Sequence, residues 1–487
     1  MTKPVLKSES LDARARKLEH VFQPACIAVV GASASRGKWS NDVFRLLVEQ
    51  EADRSVVPVN PNRESVEAVR AYPTVAAIPD KVDYALIVVP RDGVIDAVRD
   101  CVEAGVPAVH VLSSGFGEVA GRGRDLQEQL RGLVEGSGTV LIGPNSMGVY
   151  SARSRLTFAS GCHFDPGGLS FVSQSGGLCY DMLARGQARG LKFGKILSVG
   201  NCADLDWPDY VRYSATDAET DILALYIESV GDGRRLFEEL RAAAKAKPVL
   251  VLKGGKSQLG SQSVVSHTGR LAAEYHVWKA MLRQAGATEV ESMDELLIAL
   301  EASDLRRRHS AAHLPDIPGT AVIGTGGGAT VLIADACEAA GLSFARFSAD
   351  TRAALESCIP GADTLGGADN PVDIGADRLL ADPGLLARLV ETVCADAGVA
   401  TVLIHLNLIA VANNLSGGHE AWTDACDRLA TARRGGRTVT VVLRNGDAGD
   451  FPGQLQNAAM ARLRGRGGIP AFSELGHALA LLRHVSG

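Results

Sequence analysis

Aromatic residues are scarce in this 487-residue chain, at 5% of the total. Neither sign of charge dominates: 50 Lys and Arg stand against 56 Asp and Glu, a formal net charge of −6. Mixed charge of this kind excludes the basic footprint of a nucleic-acid binder and the polybasic patch of a membrane-surface protein. No apolar run reaches transmembrane length, and the first stretch, MTKPVLKSESLDARARKLEH, is charged and has no signal-peptide core. The nine cysteines (26, 101, 162, 179, 202, 337, 358, 394 and 426) form no CxxC pair and no Cys/His cluster at zinc spacing. No metal site is expected, and the scattered thiols suit a reducing cytoplasm, where the chain is expected to reside.

What is abundant is glycine, 53 residues, in a chain that is 46% hydrophobic. The length predicts about three domains. Three times an apolar β-run enters a Gly/Ser turn and a helical pattern follows. The runs are Ile27-Ala28-Val29-Val30-Gly31-Ala32-Ser33, Leu169 to Gly177 (LSFVSQSGG) and Thr320 to Gly328 (TAVIGTGGG). Alternating strands and helices after each opening define an α/β chain of three Rossmann-like or flavodoxin-like, doubly wound parallel-sheet domains. The expected boundaries are 1–150, 151–305 and 319–487, with Arg306–Pro318 (RRRHSAAHLPDIP) as a linker without periodicity.

In the first domain, the turn from Gly31 to Lys38 opens a helix, and its backbone N–H groups favour an anion such as a diphosphate. Strands are expected over Ser55–Val59, Tyr84–Val89, Ala108–Leu112 and Val140–Ile142. The second strand ends Pro58-Val59-Asn60-Pro61. A dinucleotide-binding domain places a carboxylate there for the ribose, and Asn60 does not supply one. Val88-Val89-Pro90, Ser113-Ser114-Gly115-Phe116 and Gly143-Pro144-Asn145-Ser146-Met147-Gly148 end later strands, on the carboxyl edge where this fold binds ligands.

In the second domain, the strand-like run Pro248–Lys253 is followed by GGKSQLGSQSVVSHTG, read as a Gly/Ser-rich loop from Gly254 to Gly269. A histidine near its end, His267, can swing, approach a phosphate and act as a nucleophile near neutral pH.

Taken together, IAVVGAS with Gly37-Lys38, PVNP, IVVP, SSGFGE, GPNSMG, FVSQSGG, SVGN, ALYIES, SHTG and NPVDI resemble, in order and spacing, the α part of the ADP-forming (NDP-forming) acyl-CoA synthetases, relatives of succinyl-CoA synthetase. The resemblance covers about residues 20–485. It implies that the first domain binds coenzyme A, with Ser33, Gly37 and Lys38 at the phosphates. Asn60, Pro61, Val89, Pro90 and Ser113 would line the adenosine and pantetheine groove, and Asn145 would sit near the thiol. Many relatives have Cys after that Asn. Ser146 stands here, so no direct chemical role is expected of it. The resemblance makes His267 the phosphohistidine and Glu228 the carboxylate that holds its ring. Ser173, Gln174, Ser175, Gly176 and Gly177 would bind the phosphate it carries, and Gly200-Asn201 would shape the pocket nearby.

The third domain shows no comparable cluster. Gly326-Gly327-Gly328 reads as a tight turn, and Asn370-Pro371-Val372-Asp373 matches the family without a chemical role. No segment resembles the ATP-grasp domain that holds nucleotide in this family. The resemblance therefore implies an ATP-grasp β subunit carrying ATP or ADP with Mg, and a hetero-oligomer with an α–α contact. Two other readings remain at this stage. A CoA- or acyl-CoA-sensing protein would need neither His267 nor Glu228. A nicotinamide-dependent oxidoreductase would need the carboxylate that Asn60 replaces.

Overall fold

Runs of Val, Ile, Leu and Ala without alternation suit strands covered on both faces, and such strands belong in parallel sheets flanked by helices. The computed structural model describes residues 10–50, 52–268, 274–308, 319–324, 327–359, 368–374, 376–414 and 419–486. It contains three such sheets. The first orders its strands Ser55–Val59, Cys26–Val30, Tyr84–Ile87, Ala108–Val111, Val140–Ile142, all parallel.

The second sheet runs Thr288–Val290, Val249–Lys253, Ile222–Ile227, Leu169–Ser173, Phe193–Ser198, with Val149–Ser151 antiparallel at its edge. The third runs Ser343–Phe344, Gly319–Gly324, Val399–Asn407, Thr438–Arg444, Ala471–Phe472, and Val372–Asp373 also pairs with Gly319–Gly324. Leaving aside the antiparallel edge strand Val149–Ser151 and the short Val372–Asp373, each sheet repeats one order: the first strand lies between the second and third, and the chain reverses direction across it. The ends of the first and third strands flank a crevice at that reversal, where α/β sheets bind ligands.

The chain divides into two compact units, residues 1–187 with 191–296, and residues 188–190 with 297–487. The first unit holds two sheets in one body. Its core mixes Ile27, Val29 and Ile142 of the first sheet with Val172, Leu197 and Leu225 of the second. The expected boundary after residue 150 falls inside the strand Val149–Ser151, which belongs to the second sheet. In the second unit Asn370 acts as a stitch. Its Oδ1 accepts from Val322 N–H at 2.8 Å, and its Nδ2 donates to the carbonyls of Thr320 (2.7 Å) and Ala345 (3.0 Å).

Two segments differ from the sequence expectation. Arg306, Arg307 and Arg308 are not linker but the last turn of the helix Met293–Arg308. Asp304 pairs with Arg307 at 3.3 Å and also with Arg308, one helical turn apart, and cations suit a helix C-terminus. Residues 309–318 lie outside the described residues, as do 325–326 of the third glycine turn. The second difference is the helix Gln258–Thr268, where a loop was expected. The Ser257 hydroxyl caps it by accepting Gly260 N–H at 3.1 Å, and Val264 anchors it in the core. Among the described residues no helix is long and apolar enough to cross a membrane.

Candidate active site

At the carboxyl edge of the first sheet the backbone turns tightly. Gly31 has φ +95°, and a Cβ there would come within 2.6 Å of Val89 Cγ1, so only glycine lets the turn pass its neighbour strand. Asn60 Nδ2 donates to Ala32 O at 2.9 Å, while its Oδ1 accepts Asn62 N–H at 2.9 Å. Asn60 therefore ties two turns together where a dinucleotide site would offer a carboxylate. Ser113 Oγ donates to Val89 O at 2.5 Å and joins the next two strand ends.

Along these ends runs a cleft of about 790 Å³. Ser33, Lys38, Asn60, Val89, Pro90, Ser113 and Asn145 all line it. Lys38 is exposed at the N-terminus of the helix Trp39–Val48, which places a cation beside a helix dipole that favours anions. Gly37 and Pro61 are not on its wall; Gly37 instead turns the chain with φ +83°. Trp39 and Arg91 are, and sequence reasoning passed over them; so is Met147, which it had placed at the ligand-binding edge without giving it a role. Trp39 could have been noticed as a rare aromatic next to Lys38.

The loop from Gly143 to Gly148 forms one end of the cleft. Asn145, at φ +59°, donates from Nδ2 to Asn201 Oδ1 at 3.4 Å. Asn201 in turn donates to Glu118 Oε2 and, at 3.0 Å, to Gln127 Oε1. Glu118 also accepts the amides of Gly115 and Phe116, which shapes the Ser113–Phe116 turn.

Beneath the loop lies a buried chain of Tyr84, His110 and Ser146. Tyr84 Oη is 2.7 Å from His110 Nδ1, His110 Nε2 is 2.6 Å from Ser146 Oγ, and Ser146 Oγ is 2.7 Å from Ser198 O. The Ser198 carbonyl can only accept, so it takes the single Ser146 proton. His110 Nε2–H must then donate to Ser146, and Nδ1 accepts from Tyr84. Burial outweighs the nearby Ser198 carbonyl and pushes His110 down to about 3, which keeps the imidazole neutral. Ser146 is therefore a structural strut, since its neighbour imidazole offers it no lone pair.

At the carboxyl end of Leu169–Ser173 the helix Gly176–Ala188 begins. Ser173 and Gln174, expected at the phosphate, use their side chains inside the fold. Ser173 Oγ donates to Ser175 O at 2.8 Å and accepts Ser175 N–H at 3.0 Å. Gln174 Oε1 accepts the amides of Glu228 (2.6 Å) and Ser229 (2.9 Å), and its Nε2 donates to Ser229 Oγ at 3.2 Å. The reason is topological: these strands are neighbours, so a buried amide finds the next strand end before it can find a ligand. What this strand end leaves in place to favour an anion is the helix N-terminus at Ser175, Gly176 and Gly177. A Cβ on Gly176 would come within 2.7 Å of Met147 Cβ, so this N-terminus abuts the loop that ends the cleft.

Glu228 ends the strand Ile222–Ile227 at the reversal of the second sheet and is buried. Its amide is held by Gln174, and its carbonyl accepts from Lys253 Nζ at 2.7 Å. Tyr226, two residues back on the same face, hydrogen-bonds the Glu228 carboxylate; burial and that charge push its hydroxyl well above the usual tyrosine range. Lys253 also donates to Gly254 O and lies 5.5 Å from the Trp278 ring. Burial pushes its ammonium down to about 8 against the pull of Glu228. Lys253 and Tyr226 were not singled out from sequence. The only signal for Tyr226 is its two-residue spacing from Glu228 on a strand. His267 is the penultimate residue of the helix Gln258–Thr268, and its side chain lies outside the described residues.

Residues 25–152 match the family profile of the CoA binding domain, and residues 166–303 that of the succinyl-CoA ligase like flavodoxin domain. The chain is 36% identical over 357 residues to the α subunit of ADP-forming acetate–CoA ligase II of Pyrococcus furiosus, covering 73% of this chain and 76% of that one. It is 34% identical over 388 residues to ADP-forming acetate–CoA ligase I of Archaeoglobus fulgidus, covering 79% of this chain and 54% of the relative. The solved structure of Candidatus Korarchaeum cryptofilum acetyl-coenzyme A synthetase 1 with phosphate and ADP matches with a TM-score of 0.78 and 25% identity, over 96% of both chains. The chain belongs to the α-subunit family of the ADP-forming acyl-CoA ligases. The resemblance read from the motifs is borne out.

Proposed function

We propose that the chain is the CoA-binding, phosphohistidine-bearing α subunit of an acid–CoA ligase: carboxylic acid + CoA + ATP ⇌ acyl-CoA + ADP + phosphate. The γ-phosphoryl group of ATP passes to a ring nitrogen of His267 as ADP leaves. A carboxylate oxygen of the acid then attacks phosphorus and the N–P bond breaks, giving an acyl phosphate. The CoA thiolate attacks the acyl carbon, the C–O bond breaks, and phosphate departs. Glu228 accepts one ring N–H of His267, which fixes the tautomer and leaves the other nitrogen nucleophilic. The helix N-terminus at Ser175, Gly176 and Gly177 holds the phosphoryl oxygens. The cleft from Ser33 and Lys38 to Asn145 holds CoA.

The nucleotide, with Mg, sits on a separate ATP-grasp β subunit, and the two chains form a cytoplasmic hetero-oligomer with an α–α contact. One observation carries this reading. Met147 lines the cleft and lies against Gly176, in the first turn of the helix Gly176–Ala188, which supports a thiol delivered along the cleft meeting a phosphate held at that helix N-terminus. Family membership favours the ligase over a CoA sensor.

The test is to isolate the tagged chain from its host with whatever co-purifies, add γ-labelled ATP, and look for acid-labile label on this chain. Label on the unaltered chain and none on His267→Ala is the expected result. An unlabelled chain in a preparation that contains an ATP-grasp protein would overturn the proposal.

A further inference from the structure

The strand Ile222–Ile227 is built of Ile, Leu, Ala, Leu and Ile, all buried, with Tyr226 as its one polar and half-buried residue. Packing in a parallel sheet would be served as well by another apolar side chain. A phenol hydroxyl brought to a covered strand end costs free energy unless it finds a partner. Tyr226 finds the carboxylate of Glu228, two residues on and on the same face.

The neighbouring strand makes room for that pairing. A Cβ on Gly254 would come within 2.6 Å of Tyr226 Oη and 3.1 Å of Glu228 Cγ, so both groups crowd the space that a side chain at 254 would fill. Gly254 is itself held in place. Its N–H donates to Ile227 O at 2.9 Å. Lys253 Nζ donates to the carbonyls of Gly254 and of Glu228, the latter at 2.7 Å. Burial, with the charge of Glu228, pushes the Tyr226 hydroxyl well above the usual tyrosine range, so it keeps its proton and donates. An ionised carboxylate only accepts, and the last torsion of a glutamate is broad. The Tyr226 hydroxyl takes up one oxygen, restrains that torsion, and leaves the other oxygen to a second donor.

Resting on the ligase reading above, we infer that Tyr226 is a positioning residue for the phosphohistidine step: its hydroxyl fixes the Glu228 carboxylate so that the remaining oxygen receives the ring N–H of His267. Position 254 is glycine to admit that hydroxyl.

Labelling of the co-purified complex with γ-labelled ATP reads the phosphoryl step without acid or CoA. Tyr226→Phe keeps the ring and is expected to slow labelling of His267 about tenfold, the effect of losing one hydrogen bond to a charged group. CoA titration should be unchanged, since Tyr226 does not line the CoA cleft. Gly254→Ala reaches the same hydroxyl from the other side. Its methyl meets the far end of the tyrosine side chain, and a loss of about tenfold is again expected, which keeps the test open should Tyr226→Phe not fold. A residue that acts only through a carboxylate has nothing to act on once that carboxylate is gone. In the Glu228→Gln background Tyr226→Phe is therefore expected to slow the residual labelling less than about twofold further. Parental labelling in either single variant overturns the inference, as does a further tenfold loss in the Glu228→Gln background. Loss of CoA binding alongside loss of labelling would mark a structural tyrosine and overturn it too. All three leave the ligase reading standing. An unlabelled parent, in a preparation that contains an ATP-grasp protein, overturns the reading beneath it.

Discussion

His110 offers a sharp test of the electrostatics beneath the CoA loop. Its imidazole is fully buried, donates to Ser146 and accepts from Tyr84, and is held neutral with a pKa of about 3 against 6.5 for a free histidine. Between those two values the unfolded chain binds a proton that the folded chain refuses. Stability is therefore full above about pH 6.5, falls as the pH drops, and levels off below about 3. At about 1.36 kcal/mol per pKa unit, the whole loss is about 5 kcal/mol, and about 2 kcal/mol of it is already gone at pH 5. That is a large part of a typical stability of about 5–15 kcal/mol. His110→Gln keeps a donor for Ser146 and an acceptor for Tyr84 but cannot titrate. At about pH 8 it should cost about 1–3 kcal/mol through imperfect hydrogen bonds. Between about pH 8 and pH 5 it should lose about 2 kcal/mol less than the parent, all other titrating groups being shared. Urea unfolding followed by tryptophan fluorescence at the two pH values reads both numbers. Parallel losses in parent and variant would mean that His110 is protonated inside the fold, and the proton order assigned to Tyr84, His110 and Ser146 would fail.

Lys38→Ala should weaken CoA binding about tenfold, with a smaller effect at high salt, because the exposed ammonium acts as a screened partner for phosphate; titration calorimetry showing unchanged affinity would place the phosphates elsewhere. Glu228→Gln should leave the fold intact and slow labelling of His267 at least tenfold; labelling at the parental rate would remove Glu228 from the ring-orienting role. Lys253 is pushed down to about 8 by burial, so the unfolded chain holds more protons between about pH 8 and its ordinary value of 10.5. Relative to Lys253→Met, the parent should gain stability with pH across that window, all other titrating groups being shared. Denaturation of both proteins at several alkaline pH values tests this, and parallel pH dependence in parent and variant refutes it.

Much of the architecture was legible because it rests on local chemistry. An apolar run, a glycine turn and a helical pattern name a parallel strand and its crossover without knowledge of partners, and all three openings begin strands of the three sheets. The cleft residues were legible because strand ends share one edge of the sheet. The helix Gln258–Thr268 was not, since Gly260, three serines and two valines argue against helix. The Ser257 cap and the burial of Val264 override that propensity, and burial cannot be read from a neighbourless segment. Gln174 and Lys253 were illegible for a related reason. Each is defined by a group on an adjacent strand, the amides of Glu228 and Ser229 for one and the Glu228 carbonyl for the other. Sequence places such residues at strand ends but does not say which strand lies alongside.

The joining of two sheets into one unit has a mechanical consequence. The Gly143–Gly148 loop leaves the last strand of the first sheet, is braced by Ser198 at the end of a strand of the second, and enters the second sheet as Val149–Ser151. Asn145 and Asn201 face each other across the same seam. The loop that in the proposed reaction brings thiol to phosphate is thus fixed from both sides, and neither sheet can loosen without moving it. Ile142 sits where the loop begins, fully buried in the core that both sheets share. Ile142→Ala should cost about 2–5 kcal/mol through the cavity it leaves. Because the core is common, hydrogen exchange should accelerate in the second-sheet strand Ile222–Ile227 as well as in the first-sheet strand Ala108–Val111 beside the cavity. Acceleration confined to the first sheet would mean that the two sheets open independently, and the loop between them would then be a hinge.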